Sequence, residues 1–392
     1  MRRICDFRFA IFGLVRPALL FCLTTLVAVG AENVPTITVS KSDQINLAVA
    51  PLGGSEGASA TAIVQKDLTL SSFFKIGGAS ASYTVKGTAG GGSLQGQVVD
   101  HNGGTVLSKT YSGPTAQNAH EFANDIIETL TGNKGLAGSK IAFIATRTGR
   151  KEVYLADYDG THVRQLTHDN TISVHPSLSP DGSRIAYTGY QSGYADVYVI
   201  DLSSGARTKI VNYPGTNSGA AFSPEGGRIA LTISKDGNPE LYTVSADGGG
   251  ARRLTRTRGV ESSPTWSPDG SEIIYSFDGA GGPQLYRISS GGGSGQQIAT
   301  GYGYCTEPSW SPDGKKVAFN IRSGGEFQVI VLDLANGSKR TIATGEDPVW
   351  GPDSRHLIFS EGGALYMVDA ISGRKNKILD GLGKITEPTW SR

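Results

Sequence analysis

The sequence predicts a mainly β fold, a six-bladed β-propeller preceded by a small α+β domain, and three observations support this. Gly accounts for 54 of the 392 residues, about twice its ordinary share of roughly 7%, which indicates many tight turns between short strands. A four-residue turn motif recurs through the C-terminal two-thirds of the chain. An apolar triplet follows the start of each turn by six residues. Such repeats are typical of propeller blades.

Composition excludes several functional classes. Apolar residues make up 38% and charged residues 18% of the chain, which fits neither a disordered chain nor a membrane protein with many spans. The formal net charge is only +1, and no basic stripe with interleaved aromatic residues is present. We therefore expect no nucleic-acid partner.

Residues 1–31 have the layout of a secretory signal peptide. Four arginines precede an apolar run over residues 17–29, and small residues follow before Glu32. An uncleaved membrane anchor is the alternative. Cleavage would remove Cys5 and Cys22 and leave Cys305 alone, so we expect no internal disulfide in the exported chain.

Residues 32–135 show no repeat and predict the small α+β domain. The hydrophobic pattern predicts two helices and three strands, with Gly132 ending the second helix and a loop at residues 87–92. The predicted elements are a strand at 45–50, a helix at 58–71, strands at 94–99 and 105–110, and a helix at 116–130.

Residues 136–392 predict the propeller, with four antiparallel strands in each blade. The turn motif, Ser-Pro-Asp-Gly or a close variant, begins at residues 179, 223, 267, 311 and 351, so the intervals are 44, 44, 44 and 40. Pro fixes φ, Asp bonds its own backbone and Gly adopts positive φ in such turns. The apolar triplets, which form the second strands, begin at residues 141, 185, 229, 273, 317 and 357.

The first strands are offset from the second strands by one blade. They end near residues 178, 222, 266, 310, 350 and 390, so the first blade lacks its own inner strand and the end of the sequence supplies one. We therefore expect residues 386–391 to pair with residues 140–145 and close the ring, which removes an exposed blade edge. An open β-solenoid is the alternative. The Pro-x-Trp tryptophans of these strands are expected to be core residues rather than a ligand cage.

These features resemble the TolB family, the periplasmic components of the Tol–Pal envelope system. The resemblance rests on the Ser-Pro-Asp-Gly blades, on Lys66-Asp-Leu-Thr-Leu-Ser-Ser-Phe-Phe74, and on residues 119–135 leading directly into the first blade. It covers about residues 43–392, with one departure at residues 75–96, which are rich in Gly, Ser and Ala. The resemblance implies a periplasmic, non-catalytic scaffold for envelope integrity and division, peripheral to the membrane and monomeric.

The residues themselves also argue against catalysis. Residues 53–57 match the Gly-x-Ser-x-Gly nucleophile pattern around Ser55, but a hydrolase sheet needs more strands and a late His. The sequence ends on the closing strand, so we expect no hydrolase domain after the propeller. The six histidines lack paired metal spacing, and Asp-Gly turns such as residues 157–160 are explained by turn chemistry, with calcium binding as the alternative. We expect no enzyme activity, cofactor or metal.

The candidate binding site is the mouth of the propeller channel. The residues that precede each Pro-x-Trp position should form a ring there: His175, Gly219, Ser263, Glu307, Asp347 and Glu387. Three carboxylates in a narrow mouth should attract a basic or hydrogen-bond-donating group. The alternative is that these acids only solvate loops.

The resemblance implies two protein partners. In the TolB family this face docks the peptidoglycan-associated lipoprotein Pal, and the family's contact position matches Thr306 with Glu307, Thr386 with Glu387 and, in the second blade, His175. Ser263 and Asp347 complete the predicted Pal-binding set.

TolA engages the mature N-terminal strand in this family by strand addition. The segment in that place here carries Glu32, Val34, Ile37 and Val39. The alternative function is an exported propeller that binds a glycan or small ligand, or an accessory to a peptidase system.

Export predicts a new N-terminus close to Glu32. N-terminal sequencing of the protein recovered from a periplasmic fraction should read a residue near this position, because signal peptidase cleaves after the small residues. Recovery of the intact arginine-rich terminus in the membrane fraction would instead support the anchor.

Overall fold

The computed structural model describes residues 44–77, 80–279 and 281–391. The predicted signal peptide and the predicted TolA-binding residues Glu32, Val34, Ile37 and Val39 lie outside these residues. Within the described ranges, no helix is long and apolar enough to cross a bilayer.

The described part of the α+β region contains one five-stranded sheet and two helices. Its elements are β1 Ile45–Val49, α1 Gly57–Leu70, β2 Phe74–Ile76, β3 Tyr83–Gly90, β4 Ser93–Asp100, β5 Thr105–Ser112 and α2 Thr115–Thr131. The strand order is β2-β1-β3-β4-β5, with β1 parallel to both of its neighbours. Both helices pack on the sheet around a core that includes Leu47, Val64 and Phe122. Both predicted helices and the three predicted strands are confirmed, and Gly132 ends α2 in the left-handed conformation.

The predicted loop at residues 87–92 is wrong in its first four residues, which belong to β3. Gly87 lies opposite Gly96 of β4, and a Cβ on Gly96 would lie 2.6 Å from the Phe122 ring. Gly96 therefore allows α2 to approach the sheet closely. Gly87 and Gly90 leave β3 without side chains at two of its positions, which hides this strand from hydrophobic periodicity. Strands β2 and β3 also give residues 75–96 more regular structure than their composition suggested.

The rest of the described chain forms six four-stranded antiparallel sheets, which confirms the six-bladed propeller. Blade 2 comprises β9 Ser173–Leu178, β10 Arg184–Gly189, β11 Asp196–Asp201 and β12 Arg207–Val211. Blade 3 comprises β13 Asn217–Phe222, β14 Arg228–Ile233, β15 Glu240–Ser245 and β16 Arg252–Arg253. Blade 4 comprises β17 Glu261–Trp266, β18 Glu272–Phe277, β19 Gln284–Ser289 and β20 Gln296–Gln297. Blade 5 comprises β21 Cys305–Trp310, β22 Lys316–Ser323, β23 Glu326–Asp333 and β24 Lys339–Thr344. Blade 6 comprises β25 Glu346–Trp350, β26 His356–Glu361, β27 Ala364–Asp369 and β28 Lys375–Leu379. The division between the two regions at residue 135 stays a prediction.

The repeated turn between the first two strands of a blade is held by its own side chains. In blade 2 the Ser179 hydroxyl donates to Asp181, and the Arg184 N–H donates to Ser179 Oγ at 2.9 Å. Hydrogen bonds from Ser179 and Ser183 lower the pKa of Asp181 to about 2. Blades 4 and 5 repeat the same contacts. The turn motif therefore sets the register of each inner hairpin.

Blade 1 combines the two ends of the propeller sequence. It comprises β29 Ile385–Trp390, β6 Lys140–Ala145, β7 Glu152–Asp157 and β8 Arg164–Gln165. Trp390 pairs with Ile141 and Ile385 with Ala145, which confirms the predicted closure. The Lys140 N–H also donates to Ser391 Oγ at 2.9 Å. Closure leaves β6 with a partner on each side.

The α+β region packs against blades 1 and 6 at the end of the propeller that carries the repeated turns. Asp67 of α1 is only 2% exposed, accepts a hydrogen bond from the Tyr158 hydroxyl and lies 2.7 Å from His120 Nδ1. The Arg355 guanidinium lies 4.0 Å from the centre of the Phe73 ring. The described part of the α+β region therefore covers the end of the propeller with the repeated turns and does not cover the opposite end.

Deleting residues 386–392 should abolish the single cooperative unfolding transition, because β6 would become an unpaired edge and Trp390 would leave its core. The measurement is thermal unfolding followed by circular dichroism. Removing Arg392 alone is the control and should leave the transition unchanged. An unchanged melting curve for the long deletion would refute the role of the closing strand.

Candidate functional site

The candidate site is the ring of six equivalent residues at the mouth of the channel, which we call the mouth ring. Each member lies at a β-bulge in the innermost strand, where the register with the second strand shifts. All six have positive φ: His175 50°, Gly219 66°, Ser263 51°, Glu307 50°, Asp347 57° and Glu387 54°.

Five of these positions carry a side chain and precede a proline, which occupies a bulge without losing a sheet hydrogen bond. A left-handed residue other than Gly costs on the order of 1 kcal/mol or more. The same strain at equivalent positions of five blades is typical of a site where backbone conformation is held for function.

The carboxylates of the mouth ring are held by neighbouring blades. Ser263 Oγ donates to Glu307 Oε1 at 2.9 Å, and the Glu387 N–H donates to Asp347 Oδ2 at 2.9 Å. The His175 N–H donates to Glu387 Oε2 at 2.6 Å. Because these bonds join different blades, the closed ring determines the position of each carboxylate.

Below the mouth ring, the inner strands enclose a channel cavity of about 250 Å³. Hydroxyl groups on the cavity wall accept hydrogen bonds from the backbone of the next blade. The backbone N–H of Trp310 donates to Thr265 Oγ1 at 3.2 Å, and the backbone N–H of Trp350 donates to Ser309 Oγ at 3.1 Å. The four tryptophans are 2–6% exposed and join the cores between blades, as predicted. They also line the cavity.

Burial and mutual repulsion favour protonation of the mouth carboxyls. Burial, together with the nearby charge of Glu307, raises the pKa of Asp347 to about 7. Burial and the charges of Glu387 and Glu346 also raise the pKa of Glu307. A cation placed among these groups would restore their ionised forms, so the mouth is suited to a basic or hydrogen-bond-donating group.

The structure brings together all the predicted ring residues, but it separates two other predicted contacts from the cavity. His175, Ser263, Glu307, Asp347 and Glu387 line the cavity, together with Gly219. Thr306 and Thr386 are not among its lining residues, and Thr386 is only 8% exposed. The glutamates therefore face the channel, whereas the threonines beside them do not.

The sequence did not reveal Lys151 as a member of this site. Lys151 lies on the hairpin between β6 and β7. Its Nζ is 3.2 Å from Glu387 Oε1. The contact joins residues 236 positions apart, and no local pattern marks it. Placing the closing strand beside β6 was the one sequence observation that could have brought this hairpin close to Glu387.

Residues 44–77, 80–279 and 281–391 contain no cluster of three or more His, Cys, Asp or Glu side chains that could hold a metal ion. The carboxylates instead accept hydrogen bonds from protein groups.

Comparisons with known proteins agree with this architecture. A family model described as the TolB β-propeller domain matches residues 127–392. A TolB structure from Acinetobacter baumannii superposes with a TM-score of 0.80 at 25% identity, covering 89% of this chain and 97% of that chain.

Curated relatives match over shorter segments. A TolB homologue of Chlorobaculum tepidum is 38% identical over 118 residues, which is 29% of this chain and 27% of the relative. A Tol-Pal system protein TolB of Geobacter metallireducens is 43% identical over 81 residues, 20% of this chain and 19% of the relative. The matched segments thus span about a quarter or less of these relatives.

The raised pKa of Asp347 predicts a pH-dependent stability. The pKa of Asp347 in the folded protein, about 7, exceeds the ordinary aspartate value near 4. The contribution of Asp347 to the free energy of unfolding is therefore fully present below about pH 4 and is lost as the pH rises through 7. Asp347→Asn should therefore unfold at a higher temperature than the wild type at pH 8, with a smaller difference at pH 4.

Differential scanning calorimetry across this pH range measures the effect. Asp380→Asn is the control, because it makes the same substitution at a side chain that is 58% exposed. Equal pH profiles for Asp347→Asn and the wild type would contradict the assignment.

Proposed function

The chain belongs to the TolB family, and from this premise we propose that it is a non-catalytic periplasmic scaffold of a Tol–Pal system. Its mouth ring binds a Pal-like peptidoglycan-associated lipoprotein. Through this contact it helps to maintain outer-membrane integrity and envelope constriction during division. The observation that carries the proposal is the ring of strained bulges that directs three carboxylates into one channel mouth.

The mouth ring supports recognition of a protein rather than catalysis. Its carboxylates are bonded to backbone N–H groups and to a serine of neighbouring blades, so they are held in place before a partner arrives. Preorganised acceptors lower the entropic cost of binding. A basic or amide-bearing side chain of the lipoprotein inserts among Glu307, Asp347 and Glu387 and donates hydrogen bonds to them.

The names of the relatives support the assignment to this system. The Geobacter metallireducens relative is described as a Tol-Pal system protein, and the signal-like N-terminus predicted from the sequence is consistent with a periplasmic location. We also propose that the segment with Glu32, Val34, Ile37 and Val39 engages a TolA-like protein by adding a strand to its sheet.

Glu307→Lys should weaken binding of the soluble domain of the Pal-like lipoprotein from the same genome by about 10-fold or more, because the substitution places a cation where the partner's donor enters. Isothermal titration calorimetry measures the affinity. Glu307→Gln, which keeps the size of the side chain, should give a smaller loss in the same direction.

Glu128→Lys is the matched control, since it makes the same charge change on an exposed position of α2. It should bind like the wild type, and no variant should melt at a lower temperature than the wild type. Failure of the wild type to bind the lipoprotein, or unchanged binding by both Glu307 variants, would refute the proposed function.

A further inference from the structure

Blade 2 exposes an apolar surface beside the mouth ring. Six large hydrophobic side chains are exposed within the described residues, and three of them lie in two neighbouring loops of this blade. Ile172 is 46% exposed, Tyr190 36% and Tyr194 71%, and the Tyr190 N–H donates to the Ile172 carbonyl at 3.1 Å. We call these three residues the blade-2 patch. Clustered exposed apolar side chains are typical of protein interaction sites.

Hydrogen bonds within blade 2 brace the loop that carries the two tyrosines. The Gly193 N–H donates to the Tyr190 carbonyl at 3.0 Å, and Ser192 Oγ donates to Asp196 Oδ2 at 2.6 Å. Gln191 also donates to the Asp169 carboxylate. Aromatic side chains on a loop braced in this way lose little conformational entropy on binding.

The blade-2 patch lies at the same end of the propeller as the mouth ring, and Ile172 leads directly into β9, the strand that carries His175. Ile172 precedes His175 by three residues, and the His175 N–H holds Glu387 of the ring. The hairpin between β6 and β7 lies beside the start of β9, where the Ser173 N–H donates to the Lys151 carbonyl at 2.9 Å. A protein domain docked on the mouth would therefore cover blade 2 and this hairpin.

We propose that the blade-2 patch is the apolar part of the interface for the same lipoprotein domain that enters the mouth, an inference that rests on the proposed function. A stable protein interface buries about 800 Å² on each partner, more than a single side chain inserted in a narrow mouth supplies. The contact must extend over the surrounding loops, and among these blade 2 offers the exposed aromatic residues that interfaces favour.

Charge specifies the chemistry of the partner further. Arg147 and Arg150 are exposed on the hairpin between β6 and β7, and neither forms an ion pair with a described residue. The partner surface thus combines three parts: a donor or cation over the mouth carboxylates, apolar side chains over the blade-2 patch, and acidic side chains over the two arginines.

The test measures binding kinetics of the lipoprotein's soluble domain by surface plasmon resonance. Ile172→Ser combined with Tyr194→Ser should lower the affinity by about 10-fold or more, mainly through faster dissociation. Arg147→Glu combined with Arg150→Glu should slow association and reduce its dependence on salt. Val163→Ser is the matched control, because Val163 is 37% exposed and lies at the opposite end of the propeller.

The outcomes separate the two proposals. Wild-type binding that weakens with Glu307→Lys but not with the Ile172 and Tyr194 changes would overturn this inference and leave the proposed function intact. No binding by the wild type would overturn the proposed function and this inference with it. Self-association of the wild type that the Ile172 and Tyr194 changes abolish would show that a second copy covers the patch, and would also overturn the inference.

Discussion

The pairing of β29 with β6 is the interaction on which the rest of the propeller depends. It joins residues about 245 positions apart and gives blade 1 its inner strand. The same strand carries Glu387, which accepts the N–H of His175 in blade 2 and donates its own N–H to Asp347 in blade 6. The strand that closes the propeller therefore also completes the mouth ring.

Hydrogen bonds between blades also explain how the mouth ring retains its unusual backbone. A left-handed bulge is unfavourable at the five ring positions that carry a side chain, yet residues that flank these bulges are fixed by bonds to neighbouring blades. Thr265 and Ser309 accept N–H groups from the next inner strand, and the tryptophans fill the cores behind them. The strain is thus compensated by packing outside the site, which allows acidic side chains to converge where they repel one another.

The two ends of the propeller have different chemistry. The end with the repeated turns contacts the α+β region through Asp67, a buried carboxylate held by Tyr158 and His120. The other end carries the mouth ring, the exposed tyrosines of blade 2 and the arginines of the first hairpin. This division leaves an acidic mouth, an apolar surface and a basic edge together on one side, which suits a partner that contacts all three.

Much of this organisation was predictable because each blade is built by local rules. The spacing of the turn motifs determined the number of blades, the ends of the inner strands and the identity of the ring residues, since equivalent positions of a repeat occupy equivalent places in the fold. Strand β3 escaped prediction because Gly87 and Gly90 have no side chains to contribute to a hydrophobic pattern. Only the tertiary structure decided which groups meet between blades, such as Lys151 with Glu387, which threonines turn away from the channel, and how far burial raises the pKa of Asp347. These properties depend on contacts between residues far apart in the sequence, and such contacts exist only once the ring has closed.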